Sequence, residues 1–344
     1  MNARRSRRNT GVRLNYYIER NITLMLTYVV FLAMVILYVV LYSRQYGAPG
    51  QFEISSIVNT SLPLAFVGVG QTIVVLTKGI DLSVGGLVSL TGAFAALYMV
   101  TQGDILWVVI ATLAIGAGAG LVNGLLVGVG RLQPIIVTIA TLSIWNGIAL
   151  YILPEPGGYI PESFSSALTG TTFEVIPNGV VVTVILLILW RVFRSTPLSV
   201  SLYAIGNDES GARANGVSVT RTKVIAYVLC GLFSAAGGLY LVAVTTAGDA
   251  TTGAPYTLTS IAATVLGGVS LLGGRGTAVG TIFGAFILTL LLNVLFFANV
   301  SFYLQSFFQG LVLILAVASS TILARLWSAR RLKQATGRLA VSRL

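Results

Sequence analysis

A chain of 344 residues that is 56% hydrophobic and only 9% charged does not fold as a water-soluble domain, and its mean hydropathy of +0.90 places it in a bilayer. With no histidine and a single cysteine, Cys230, it excludes a disulfide framework and imidazole or thiolate metal sites, so no metal is expected. The net charge of +11 gathers near the two ends, in clusters such as Arg4, Arg5, Arg7, Arg8 and Arg330, Arg331, Lys333; beside apolar spans these read as anchors on the anionic cytoplasmic leaflet, not as a nucleic-acid surface.

Arginines precede the first apolar run, 22–42, as they would in a signal peptide. The run is too long for one and lacks a small-residue cleavage site, so it reads as a retained span. Further runs predict spans at about 57–77, 84–101, 105–129, 135–153, 178–194, 224–246, 258–272, 277–297 and 303–324, ten in all. With the N-terminus inside, Arg4 through Arg20, Lys78, Arg131, Arg191 through Lys223, Arg275 and the C-terminal bases share the inner side, and only Arg44 falls outside. Glu53, Asp104, Glu155, Glu162, Glu174 and Asp249 all fall outside. The expected fold is therefore an all-α polytopic membrane protein of about ten transmembrane helices, with both termini cytoplasmic. A basic tail at 1–21 precedes a transmembrane domain at 22–324, and a second basic tail follows at 325–344.

Residues 154–178 carry Pro154, Pro156, Pro161 and Pro177, which limit helix; an extracytoplasmic loop is expected, with a short helix around 163–168. It separates a first half, 22–153, from a second, 179–324. Five spans per half means that the halves start from opposite sides, the arithmetic of an inverted repeat. A faint echo agrees: TKGIDLSVGGLVSLTG at 77–92 resembles AGDATTGAPYTLTSIA at 247–262, each with an aspartate and glycines ahead of a Leu-Thr or Leu-Ser helix start.

Four features bear on function. Within an expected loop at 195–223, residues 198–223 form the longest polar interval in the body of the chain; this stretch, LSVSLYAIGNDESGARANGVSVTRTK, mixes Asp208, Glu209, Arg213, Arg221 and Lys223 with recurring glycines. The stretch reads as a cytoplasmic loop with a short helix that a soluble partner is expected to grip. GIDLSVGG at 79–86 has two readings: a re-entrant break lining or gating a path, or a tight turn in which Asp81 or Ser83 caps a helix. LGGVSLLGGRGTAVG at 266–280 is either a flexible gate or close helix packing, and no G-x-x-x-x-G-K-S/T spacing occurs, so the chain has no P-loop. Finally, polar residues within spans are few and neutral: Asn59, Gln71, Thr72, Asn123, Thr138, Thr141, Asn146 and Asn293. Without mid-span carboxylates, ion coupling lacks its usual groups, and without paired carboxylates or a Ser/His arrangement so does an embedded enzyme.

Four blocks in order carry a family resemblance: GQTIVVLTKGIDLSVGGLVSLTGAFAA (70–96), NGLLVGVGRLQPIIVTIATLSIWNGIAL (123–150), YAIGNDESGARANGVSVTRTKVIAYVLCGLFSAAGG (203–238) and LTSIAATVLGGVSLLGGRGTAVGTIFGAFIL (258–288). Together they resemble the ribose-type monosaccharide ABC-transporter permeases. The resemblance implies a non-enzymatic permease subunit in a bacterial cytoplasmic (inner) membrane. Its implied partners are a second permease subunit, identical or related, a cytoplasmic ATPase that uses ATP and Mg, and an extracytoplasmic sugar-binding protein; the chain itself binds no cofactor. It also implies that the loop containing Tyr203, Gly206, Asn207, Asp208, Glu209, Arg213 and Gly216 couples to the ATPase. Gly206, Glu209, Arg213 and Gly216 match the family pattern, whereas Asp208 stands for an asparagine, Ser210 and Gly211 for an alanine pair, Lys78 for a glycine and Ile135 for a phenylalanine. Candidates for the translocation path or its gate are Gln71, Asp81, Ser83, Asn123, Asn146, Gly267, Gly268, Gly273 and Gly274. The rival expectations are an ion-coupled secondary carrier of a small neutral solute and a passive channel or structural subunit.

Overall fold

A computed structural model of the chain describes residues 2–301, 303–305, 307–312 and 314–315, with side chains from residue 23 onward. Helices dominate: α1 (Asn2–Tyr46), α2 (Gln51–Val75), α3 (Val84–Tyr98), α4 (Ile105–Gly128), α5 (Pro134–Ile152), α6 (Glu162–Thr169), α7 (Asn178–Arg194), α8 (Pro197–Asn207), α9 (Glu209–Ala214), α10 (Val219–Thr245), α11 (Tyr256–Leu266) and α12 (Ala278–Phe297). Proline sets several starts: Pro134 and Pro197 stand in the first helical turn, where a missing N–H costs nothing. The one pair of strands among the described residues is a small hairpin after α6, β1 (Thr171–Thr172) against β2 (Ile176–Pro177), antiparallel with Thr172 opposite Ile176.

Nine of the ten expected spans fall on a helix. The tenth, 303–324, is helical at 303–305, 307–312 and 314–315; its remainder and the tail at 325–344 lie outside the described residues. Among the described residues, six helices are long and apolar enough to cross a membrane, and α7 with α8, bent by 75° at residues 195–196, makes a further candidate. Two expected spans are shorter. The 15 residues of α3 and the 11 of α11 reach only about 22 Å and about 16 Å, against a hydrocarbon core of about 30 Å.

α2 is the central element: 83% of its most apolar window is buried, against 11% for α1, which lies at the periphery against α12. α2 packs on α10, α11 and α12, while α10 packs on α2, α3 and α4, so each long central helix takes partners from the other half of the chain. Between lipid-immersed helices there is no hydrophobic drive, and closeness depends on small residues. α4 supplies them at every fourth position: side chains on Gly116, Gly120 and Gly124 would collide with Gly231, Tyr227 and Val224 of α10, and one on Gly128 would crowd Thr220.

The bundle has two distinct ends. At one, Lys78, Arg131, the 195–218 loop and the 267–277 strap gather, and Thr27 of α1 donates to the Leu266 carbonyl at 2.7 Å. At the other, Gly157 and Gly248 exchange backbone bonds of 2.9 and 2.8 Å, Ser165 donates to the Ala243 carbonyl at 2.6 Å, and Tyr240 and Asn59 bind the carbonyls that end α6. Glu155, Glu162 and Asp249 flank these contacts, so this second end is the acidic one.

Candidate functional site

The basic end carries the long polar loop. A bend after α7 turns α8 across the bundle, where Ser199, Leu202, Ile205 and Gly206 face inward at helical spacing. Thr196 caps α8 by accepting from Ser199 N, and Asp208 caps α9 by accepting from the Ser210 amide at 3.1 Å and its hydroxyl at 2.7 Å. Ile205, Ala212 and Val219 form a small core under the loop, leaving Ser210, Arg213, Asn215 and Gly216 exposed at its tip. Glu209 holds the tip to the bundle: Lys223 Nζ lies 2.8 Å from its carboxylate and Arg213 3.4 Å. The hydrogen bond from Lys223, outweighing partial burial, holds the Glu209 carboxyl below its ordinary range; the Ser210 hydroxyl does the same for Asp208.

At its inner edge the loop meets the two glycine-rich stretches. The Gly274 amide donates to the Leu76 carbonyl at 3.0 Å, Asn207 Nδ2 donates to the Tyr203 carbonyl at 2.7 Å and the Gly274 carbonyl at 3.2 Å, and Tyr203 donates its hydroxyl to the Gly276 carbonyl at 2.6 Å. A Cβ on Gly206 would collide with the Leu76 carbonyl and the Gly274 backbone. Gly273, Gly274 and Gly276 have φ of +79°, +68° and +115°, a region open to glycine and strained for other residues. Lys78 adopts φ +66° with its stem against Gly273, so the position where the family carries glycine is also a left-handed one.

Deeper in the bundle is a second, polar cluster. α2 ends at Val75 and α3 begins at Val84; between them Asp81 accepts from the Ser83 amide at 2.9 Å and its hydroxyl at 2.6 Å. Asn123 of α4 donates to Ser83 Oγ at 2.8 Å. Asp81, Ser83, Asn123 and Gln71 are fully buried, and among the described residues both Gln71 amide atoms and Tyr227 OH have no hydrogen-bond partner. No carboxylate stands at mid-span in the expected spans, but this break carries one. α3 and α11 start close together beside it: a Cβ on Gly85 would strike Thr257 and the Gly253 carbonyl, and the Gly253 amide donates to Ser89 Oγ at 3.0 Å.

The residues expected to matter therefore sort into two places. Tyr203, Gly206, Asn207, Gly273 and Gly274 meet at the basic end, with Asp208, Glu209, Arg213 and Gly216 at the tip. Asp81, Ser83 and Asn123 meet in the interior. Asn146 stands apart, its Oδ1 packed where α5 crosses Gly86. Of the two readings of 266–280, Gly267 fits close packing, since it abuts Gly280 of α12, and Gly268 turns beside Thr23 of α1 with φ +80°. Sequence reasoning missed Leu76, whose role is a backbone carbonyl, and Tyr227 and Cys230 of α10, which lie beside Asp81. The only signal for Tyr227 was a phenol in the middle of an apolar run.

The chain matches the family described as branched-chain amino acid transport system / permease component over residues 53–317. The ribose import permease protein RbsC of Escherichia coli K12 is 37% identical over 279 residues, 78% of this chain and 87% of that one. The same protein of Bacillus subtilis is 36% identical over 275 residues, 78% of this chain and 85% of that one. The autoinducer 2 import system permease protein LsrC of Klebsiella pneumoniae is 37% identical over 290 residues, 83% of each chain. No solved structure matches the chain.

Proposed function

The chain belongs to the permease-component family that includes the ribose import permeases, and on that footing we propose that it forms the membrane pathway of an ATP-binding-cassette importer for ribose or a similarly small sugar. It is a transport subunit rather than an enzyme. A separate cytoplasmic ATPase, using ATP and Mg, grips the α8–α9 loop; an extracytoplasmic binding protein delivers sugar to the acidic end; and a second permease, identical or related, completes the path. The basic end faces the cytoplasm of a bacterial inner membrane, in keeping with the positive-inside rule. The ten spans form two inverted five-helix halves, a reading supported by the exchange of partners between α2 and α10.

The observation that carries this reading is the loop itself. A charged tip, exposed yet anchored through α8 to the end of α2 and the strap before α12, is the feature that a pump driven by an external motor requires and a self-sufficient carrier does not. Mild-detergent purification from the native membrane, with mass identification of what co-elutes, tests it. A stoichiometric ATPase is the expected result; reproducible isolation of this chain alone contradicts it. The buried Asp81 favours the second reading, an ion-coupled carrier of a small neutral solute. That reading predicts uptake that survives ATP depletion and collapses with the ion gradient.

A further inference from the structure

The loop, the α2–α3 break and the strap before α12 lie far apart in sequence, yet their main chains touch. Gly274 N, Leu76 O, Gly276 O, Tyr203 OH and Asn207 Nδ2 make three connections between them, at 3.0, 2.6 and 3.2 Å. We infer that Leu76, Gly206 and Gly274 form a rigid backbone clasp, locked by Tyr203 and Asn207, through which displacement of the α8–α9 loop reaches the broken helices of both halves. The inference rests on the reading of the chain as a motor-driven permease.

The contact is built for transmission. Gly206 and Gly274 bring backbone against backbone, leaving no flexible side chain to absorb a push. From Leu76 the path inward is short and tightly wound. Lys78 N donates to the Val75 carbonyl at 2.9 Å and Gly79 N to the Val74 carbonyl at 3.2 Å, so the end of α2 is tied directly to the segment that presents Asp81. From Gly274 the strap runs to both neighbouring helices. Gly276 lies against Val269, whose amide bonds the Thr264 carbonyl of α11 at 3.1 Å. Thr277 caps α12 and accepts from Trp190 Nε1 of α7 at 2.8 Å. A pull on the tip is thereby divided between the α2–α3 break in one half and the α11–α12 turn in the other. Opening the clasp would strand the Leu76 carbonyl and the Gly274 amide, which argues for a link that stays closed through the cycle and against a latch.

The test uses the whole complex, purified with its ATPase and binding protein and reconstituted in liposomes. The quantity read is radiolabelled ribose imported per ATP hydrolysed, a ratio that a smaller yield of folded complex leaves unchanged. Tyr203→Phe removes one hydroxyl; Asn207→Asp keeps the side-chain shape but sets a carboxylate oxygen against two carbonyls. Both are expected to retain a stoichiometric ATPase while the ratio falls about threefold to tenfold, the scale set by one or two hydrogen bonds. An unchanged ratio in both variants overturns the clasp. So does loss of the ATPase from either variant, which would make these side chains docking contacts. A wild-type complex that moves no ribose on ATP overturns the functional reading, and the clasp with it.

Discussion

Between α2 and α3, Asp81 accepts from the amide and hydroxyl of Ser83 at 2.9 and 2.6 Å; between α10 and α11, Asp249 accepts from the amide and hydroxyl of Thr251, both at 2.7 Å. The two turns share their chemistry and each leads into a short helix, α3 or α11, that begins beside the other. Their surroundings differ. Asp81 is fully buried beside Asn123 and Tyr227, whereas Asp249 is only partly buried. The first break is fastened at the basic end through Leu76 to Gly274; the second at the acidic end, through Gly248 to Gly157. The same turn chemistry thus precedes α3 and α11, with one break fastened at the basic end and the other at the acidic end. In the inverted arrangement proposed above, each break would respond to events on its own side.

Several changes would break or sharpen this comparison. The largest effect is expected where the two breaks touch. Gly85→Leu drives a side chain into Thr257 and Gly253 and should cost roughly 3 kcal/mol, read as a fall in Tm of the detergent-purified protein. A fall no larger than that of a surface variant would mean that the contact between α3 and α11 is loose. Next, Asp81→Ala strips both donors of Ser83 of their acceptor in the interior and should cost about 2 kcal/mol, while Asp249→Ala, where water can substitute, should cost less than about 1 kcal/mol. Equal losses would erase the distinction between the two turns. The smallest effect concerns the loop tip. The Glu209 carboxyl lies below its unfolded value because Lys223 donates to it, so its contribution to loop stability is present above the ordinary carboxylate range and is lost as pH falls through the lowered value. Hydrogen exchange in α9, corrected for its intrinsic pH dependence, should therefore stay protected into mildly acid conditions. In Lys223→Met the loss should begin at a higher pH; an identical profile would show the pair to be incidental.

Much of the architecture was legible because apolar runs, prolines and charge asymmetry act locally. The bounds of α7 and the short helix α6 follow from Pro177, Pro161 and the runs beyond them. The stretches 84–101 and 258–272 were less legible: their apolar runs continue past the ends of α3 and α11, and hydropathy alone does not separate a full span from a short helix that starts in the interior. Spacing marked Asp81 and Ser83 as residues either of which could cap a helix; in the structure Asp81 instead accepts from Ser83, and neither side chain caps α3. Their burial was not legible, because it depends on Asn123 and Tyr227 arriving from α4 and α10. The glycines of 267–276 divide by partners equally remote in sequence: Gly267 meets α12, and Gly274 meets the α8–α9 loop and α2. What distinguishes packing from linkage at such residues is the tertiary neighbour, which no local pattern encodes.

The central claim, that the two breaks answer to opposite sides of the membrane, is most directly tested by single-cysteine labelling. Cys230 is buried and silent, so Lys78→Cys at the first break and Thr245→Cys at the second, both exposed positions, can each report alone. A membrane-impermeant thiol reagent should label Lys78→Cys only in inside-out vesicles and Thr245→Cys only in right-side-out vesicles. Labelling of both positions from the same side would contradict the inverted arrangement and the account built on it.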